Sequence, residues 1–200
     1  RKENKSADDY KVAKQADTLM LFNNLDKQTV HSLITSLGYS VSKHFAEKNL
    51  HYYLERTSHG STLSRIVHAY LAEQIQLHDL SWQLYQDALY SDYNDIQGGT
   101  TAEGIHTGVM AATLNTTIMA YAGVDIRQDM LTITPSLPQQ WQKLSFKLLH
   151  RSTLYQINLS HKEISILSDK PSTILINHQT HKLTANTLLV LKLNGDTQND

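Results

Sequence analysis

The apolar residues of this chain change their period once, near Gly123, and that change decides what the chain can fold into. From Tyr10 to Leu25, the residues Val12, Ala13, Ala16, Leu19, Met20, Phe22 and Leu25 recur at spacings of three and four, the stripe of an amphipathic helix. The same pattern marks Asp26 to Leu37, ending at Gly38, then Val41 to Leu54 behind Ser40 as a cap, Thr62 to Leu77, and Ser81 to Tyr93. Glu103 to Ala122 is rich in alanine and small residues, with Gly104 and Gly108 inside it, and predicts a helix packed closely on its neighbours. Beyond Gly123 the runs are short and alternating or β-branched: Leu131 to Thr134, Leu144 to Leu149, Thr153 to Ser160, Glu163 to Leu167, Ser172 to Asn177 and Thr187 to Leu193. All three prolines, Pro135, Pro138 and Pro171, lie in this half. The spacing therefore predicts an α+β chain, helical over residues 1–125 and an antiparallel β-domain over 126–200, with a frayed polar tail from Asn194.

Charge and composition narrow the function. Eighteen basic against nineteen acidic side chains, with no long basic block, leave no footprint for nucleic acid or an acidic membrane surface, so a neutral small molecule is the expected substrate. The chain has no cysteine, which removes disulfides, thiolate zinc sites and a cysteine nucleophile, and permits a reducing compartment. Residues Arg1 to Asp9 lack the apolar core of a signal peptide, and no apolar run approaches membrane-spanning length. A soluble, cytoplasmic protein is expected. The chain opens without methionine and enters a helical pattern within a dozen residues, which predicts a segment of a longer polypeptide.

Two loops are dense in hydroxyl residues, glycine and histidine just ahead of predicted helix starts. The first is Arg56-Thr57-Ser58-His59-Gly60-Ser61-Thr62-Leu63-Ser64. N–H groups at a helix N-terminus, assisted by Ser and Thr hydroxyls, suit an anion such as phosphate, and Gly60 allows close backbone approach. The ordinary alternative is that Ser58, Ser61 or Thr62 caps the helix. The second loop runs from Asp95 through Gly98-Gly99-Thr100-Thr101 to Glu103-Gly104-Ile105-His106. Glu-x-x-His would place a carboxylate and an imidazole on one helix face, fit for proton transfer, anion binding or sugar hydroxyls. Alternatively, Glu103 pairs with Thr100 in a capping box and His106 is a core histidine. A di-metal site would need a second Glu-x-x-His and further carboxylates, and the sequence has neither these nor HExxH or CxxC spacing, so no metal is expected.

Taken together, in this order and at this separation, the two loops resemble a known family. Ser58 to Ser64 looks like the H-x-S-S/T-L-S segment of glycoside hydrolase family 65, the group holding maltose, trehalose, kojibiose and nigerose phosphorylases. Gly99 to His106 resembles its T/N-x-E-G-I/L-H signature. Lys14-Gln15-Ala16-Asp17 is similar to the family's K-Q-A-D helix start, Ala122-Gly123-Val124 to its barrel exit, and Leu131 to Trp141, with Pro135, Leu137 and Pro138, to the run that leads into its C-terminal β-domain. The resemblance extends over about residues 10 to 167.

What the resemblance implies is the closing part of an (α/α)6 barrel followed by a small antiparallel β-sandwich. It also implies an inverting phosphorolysis, in which a glutamic acid protonates the leaving oxygen of an α-linked glucose disaccharide while inorganic phosphate attacks the anomeric carbon from the opposite face. By this similarity Ser61, Thr62 and His106 hold phosphate, and Lys14 and Gln15 meet the glucosyl unit or assist the anion. No cofactor is implied. The family's general acid lies upstream of these motifs, so no catalytic acid is assigned in this chain. Half a barrel should be silent alone, needs the rest of the polypeptide as its partner, and leaves apolar helix faces through which it would form a homodimer or aggregate. Two other readings stand beside this one. The first is hydrolysis by the same family, for which Glu55, just ahead of the first loop, and Glu103 are the only carboxylates in these stretches that could be asked to activate water; the second is a non-catalytic carbohydrate-binding or interaction module.

Overall fold

In the computed structural model, residues 5–193 are described except 16, 97 and 100, and of residues 7, 8 and 103 only the backbone. The chain divides into two compact units, Arg1–Thr116 and Thr117–Asp200. The order is helices first and strands after, an α+β chain as the period change predicts.

The first unit is helical: α1 Met20–Asn24, α2 Lys27–Ser36, α3 Phe45–Leu54, α4 Thr62–Gln74, α5 His78–Leu89 and α6 Thr107–Thr116. At its centre is α4, ten of whose 13 residues are buried, packing against α3, α5 and α6. A helix covered on all sides has to be apolar on all sides, and Ile66 to Ala72 supplies this with His68 as the exception. Leu19, Leu50, Val67, Leu71 and Ala72 form the core beneath it. Asp26 caps α2 by accepting from the Gln28 and Thr29 N–H groups at 3.0 Å each.

Three helix expectations need correction. The predicted helix from Tyr10 to Leu25 forms only in pieces: Ala7–Tyr10 and Asp17–Leu19 are single 3-10 turns, and the α-helix begins at Met20. The backbone of Ala13 and Lys14 is taken instead by the first loop. Ala13 N–H donates to the Arg56 carbonyl at 3.0 Å, and Ser58 N–H donates to the Ala13 carbonyl at 2.8 Å. A residue so bonded on both sides cannot also serve an i to i−4 ladder. Ser40 does not cap α3, which starts at Phe45 with His44 in the cap position. Finally, Glu103 to Ala122 is not one helix: Thr101–Glu103 is a 3-10 turn, α6 begins at Thr107, and Thr117–Tyr121 is a π turn. Gly104, at φ +131, takes a backbone conformation outside any helix and ends the first turn there.

Among the described residues, the second unit has eight strands: β1 Val124–Asp125, β2 Leu131–Ile133, β3 Lys143–His150, β4 Thr153–Ser160, β5 Glu163–Ser168, β6 Ser172–Ile176, β7 Gln179–Leu183 and β8 Leu189–Lys192. They form two four-stranded sheets, ordered β1-β2-β6-β7 and β3-β4-β5-β8. One continuous core joins them, with Leu131, Ile133, Ile174 and Ile176 from the first sheet against Tyr155, Ile157, Leu159, Ile164 and Ile166 from the second. That is a sandwich. Along β4, Thr153, Tyr155, Ile157 and Leu159 are the buried residues, as a period of two requires. Every pairing is antiparallel except that of β2 with β6, which is parallel.

Candidate functional site

The first loop is fastened to the segment before α1. Beyond the Ala13 bonds, Gly60 N–H donates to the Lys14 carbonyl at 3.0 Å. A Cβ on Gly60 would stand 3.0 Å from Lys14 Cγ and 3.7 Å from its Cε, so the lysine stem lies directly across the glycine. The structure thus brings Lys14 to the first loop. Gln15 is exposed and donates through Nε2 to Asp17 at 2.7 Å.

At the start of α4, Ser61 occupies the cap position with extended backbone, φ −131 and ψ 137, but its side chain makes no cap hydrogen bond. Serine in this position ordinarily bonds an N–H of the first turn. Here Ser64 N–H donates to the Ser61 carbonyl at 3.1 Å, and the Ser61 hydroxyl claims none of the first-turn N–H groups, which is the condition under which a helix start receives an anion. Thr62, the first helical residue, is buried. The other motif residues brace the loop. His59 Nδ1 is 3.0 Å from Ser64 Oγ, and His68 Nδ1 donates to the Ser64 carbonyl at 2.8 Å. The two imidazoles meet edge to face at 5.0 Å between centroids.

Burial, and then the neighbouring His68 and Arg65, push the His59 imidazole down to about 4. Burial also lowers His68, against the raising effect of its bond to Ser64. Both folded values lie below the unfolded one, so the unfolded state binds more protons once the pH drops below about 6.5. The stability these residues contribute is complete above that pH and is lost as the pH falls towards 4. Thermal melts of the helical signal should therefore shift downward from pH 7 to pH 5, and His59→Asn, which tolerates the positive φ of 50, should flatten the slope. A melting temperature that rises over this range would contradict the assignment.

The second site element is His106, which immediately precedes α6. Its carbonyl accepts from Val109 and Met110 N–H groups at 3.1 and 3.2 Å, opening the helix. Asp92, a residue that no spacing rule of helix or strand connects with His106, holds it twice. Asp92 Oδ2 accepts from the His106 backbone N–H at 2.7 Å, and Oδ1 accepts from Nδ1 at 2.5 Å. The side chains are 11% exposed for Asp92 and 32% for His106, so the carboxylate is enclosed while the ring still reaches the surface. These bonds, chiefly the one to the ring, hold the Asp92 carboxyl below its ordinary value. The loop between is tied by Asp95, which accepts from Gly99 N–H at 2.7 Å and Thr101 N–H at 3.3 Å.

Glu103 and His106 do not share a helix face, because the chain leaves the Thr101–Glu103 turn before α6 begins. The Glu103 side chain and Thr100, and with them the predicted capping box, lie outside the described residues. Among the described residues no group of three His, Asp or Glu side chains is placed to hold a metal ion. No described helix is long and apolar enough to cross a membrane.

The two helix starts adjoin. A Cβ built on Gly108, the second residue of α6, would stand 3.8 Å from Cδ1 of Leu63, the second residue of α4. One unit therefore carries a helix start with an uncapped first turn, a lysine stem beside it, and the start of α6, which His106 opens. Hydroxyl, N–H and imidazole donors of this kind suit an oxyanion.

Comparison with known proteins agrees on the family. Residues 1–115 match the glycosyl hydrolase family 65 central catalytic domain, and residues 124–184 match that family's C-terminal domain. Trehalose 6-phosphate phosphorylase of Lactococcus lactis subsp. lactis (strain IL1403) is 43% identical over 159 residues, 80% of this chain and 21% of that protein. Kojibiose phosphorylase of Escherichia coli (strain K12) is 30% identical over 171 residues, 86% of this chain and 21% of that protein. The chain thus spans about a fifth of the length of these relatives. A solved structure of a human-microbiome protein provisionally named a kojibiose phosphorylase superposes with a TM-score of 0.73 over 93% of this chain and 26% of its own, at 24% identity. From motif, fold and comparison alike, the chain belongs to glycosyl hydrolase family 65.

Proposed function

We propose that this chain is the closing part of an inverting disaccharide phosphorylase, which cleaves an α-glucosidic bond with inorganic phosphate and releases β-glucose 1-phosphate. On this reading residues 1–125 supply the last helices of the (α/α)6 barrel, and 126–200 its C-terminal β-domain. Ser61, Thr62 and His106 hold phosphate, while Lys14 and Gln15 serve the glucosyl unit or the anion. The observation that carries the reading is the uncapped start of α4 beside the start of α6, which His106 opens. Phosphate is a nucleophile that needs positioning more than activation, and fixed donors at two helix starts supply positioning. The glutamic acid that protonates the leaving oxygen is expected upstream, on a part of the polypeptide that this chain joins. This chain by itself would bind at most and turn nothing over.

Among α-linked glucose disaccharides, the relative with 43% identity favours trehalose 6-phosphate as the first substrate to try, ahead of trehalose, kojibiose and maltose. The test is to incubate the polypeptide that carries this chain with each sugar, with and without phosphate, and to follow the anomeric protons by NMR. Appearance of β-glucose 1-phosphate only when phosphate is present is expected. Release of free glucose at the same rate without phosphate would favour the hydrolytic reading instead.

A further inference from the structure

We propose that Asp92 is the positioning residue for His106: by accepting from both the backbone N–H and Nδ1 of that residue, it fixes the ring's orientation and tautomer and leaves Nε2 as the one nitrogen that can meet phosphate. The inference rests on the reading of His106 as a phosphate ligand, and adds to it a residue that neither the motifs nor the spacing single out.

The geometry is specific. A carboxylate offers only acceptors, and each of its oxygens is used here by a different donor of one residue, at 2.7 Å to the backbone N–H and 2.5 Å to the ring. The backbone donor cannot rotate away, so the carboxylate plane is set by the start of α6, and the ring is set in turn by the carboxylate. A proton is then required on Nδ1. Nε2 carries no hydrogen bond among the described residues. At that atom phosphate finds either an N–H that donates to it, when the ring is an imidazolium, or a lone pair that accepts from a phosphate hydroxyl, when the ring is neutral. In both cases one proton lies between Nε2 and the phosphate oxygen, and none is left over.

Asp92→Asn separates this role from mere support of the loop. An asparagine has one acceptor oxygen, and the fixed backbone N–H claims it. Its amide then faces Nδ1 with a donor, which forces the lone pair onto Nδ1 and the proton onto Nε2, and forbids the imidazolium. The phosphate contact survives as a neutral one and loses its charge assistance.

The experiment uses the polypeptide that carries this chain, assayed for phosphorolysis, with four proteins: wild type, His106→Ala, Asp92→Asn and the double variant. Asp92→Asn is expected to raise the KM for phosphate roughly tenfold, with little change in the KM for the disaccharide, and the double variant to match His106→Ala alone. In parallel, nitrogen-15 NMR of the imidazole should show the Nδ1–H form in wild type and the Nε2–H form in Asp92→Asn. If His106→Ala weakens phosphate use while Asp92→Asn does not, or if the two effects multiply in the double variant, Asp92 does not act through His106. If His106→Ala itself leaves the phosphate KM unchanged, the phosphate reading is wrong, and this role of Asp92 goes with it.

Discussion

Changing His106 to alanine, in the polypeptide that carries this chain, is expected to raise the KM for phosphate ten- to a hundredfold. Removal of one charge-assisted hydrogen bond costs roughly 1.5–3 kcal/mol, which is that range of equilibrium constants. The ring is one-third exposed and its Nδ1 is already taken by Asp92, so truncation removes little core packing and the loss should show in phosphate use more than in stability. Ser61→Ala is the companion measurement. Its hydroxyl gives no cap bond to α4, so helix stability should hardly change, while the phosphate KM should rise by about one neutral hydrogen bond, on the order of 1 kcal/mol. A Ser61→Ala variant with a much lower melting temperature and unaltered phosphate use would mean that the serine is a cap after all.

Gly123→Ala is the substitution with the largest expected effect on folding. A Cβ at this position would stand 1.7 Å from the Thr134 carbonyl oxygen and 2.2 Å from its carbon, both backbone atoms of the residue next to β2, whose N–H donates to the Gly123 carbonyl at 2.8 Å just beyond the β1–β2 pairing. Residue 123 also has φ +66, where an L side chain is strained. Neither strand can yield without breaking the pair. The cost should exceed about 4 kcal/mol, the range reserved for gross steric conflict, and a domain of this size would then melt on the order of 15 °C lower or more. Gly38→Ala is the control: its φ is +85, but nothing lies within 4 Å of an added Cβ, so only the backbone strain remains, about 1 kcal/mol. Equal melting temperatures for the two variants would show that the close approach at Thr134 is not rigid.

How far the sequence discloses this structure depends on whether the deciding contact is local. The order of helices and strands rests on apolar period, which is local, and β4 is found residue for residue as Thr153 to Ser160. The helix predicted from Tyr10 fails because its backbone is claimed by Arg56 and Ser58, a partner far along the chain that no window of residues contains. Gln179 to Leu183 goes unread as a strand because Gln-Thr-His-Lys carries almost no apolar alternation; it sits at a sheet edge and owes its conformation to pairing with β6. At the site, Ser61, Thr62 and His106 are visible as motif residues, whereas Asp92 is not. It reaches His106 across a loop with two consecutive glycines, and only the folded loop brings carboxylate and ring together.

The parallel pairing of β2 with β6 sets a requirement on the order of assembly. The meander β3-β4-β5 joins strands that are neighbours in the chain, His150 opposite Thr153 and Leu159 opposite Ile164, so short loops close it quickly. Leu131, by contrast, finds Ile174 only after that entire meander has been made and the chain has returned, a long closure whose entropy no local contact offsets. On a ribosome, β1 and β2 therefore emerge early and wait, with one edge of β2 open until β6 is synthesised. A polypeptide ending before Ser172 would retain that open edge, and with it a template for pairing with the wrong chain.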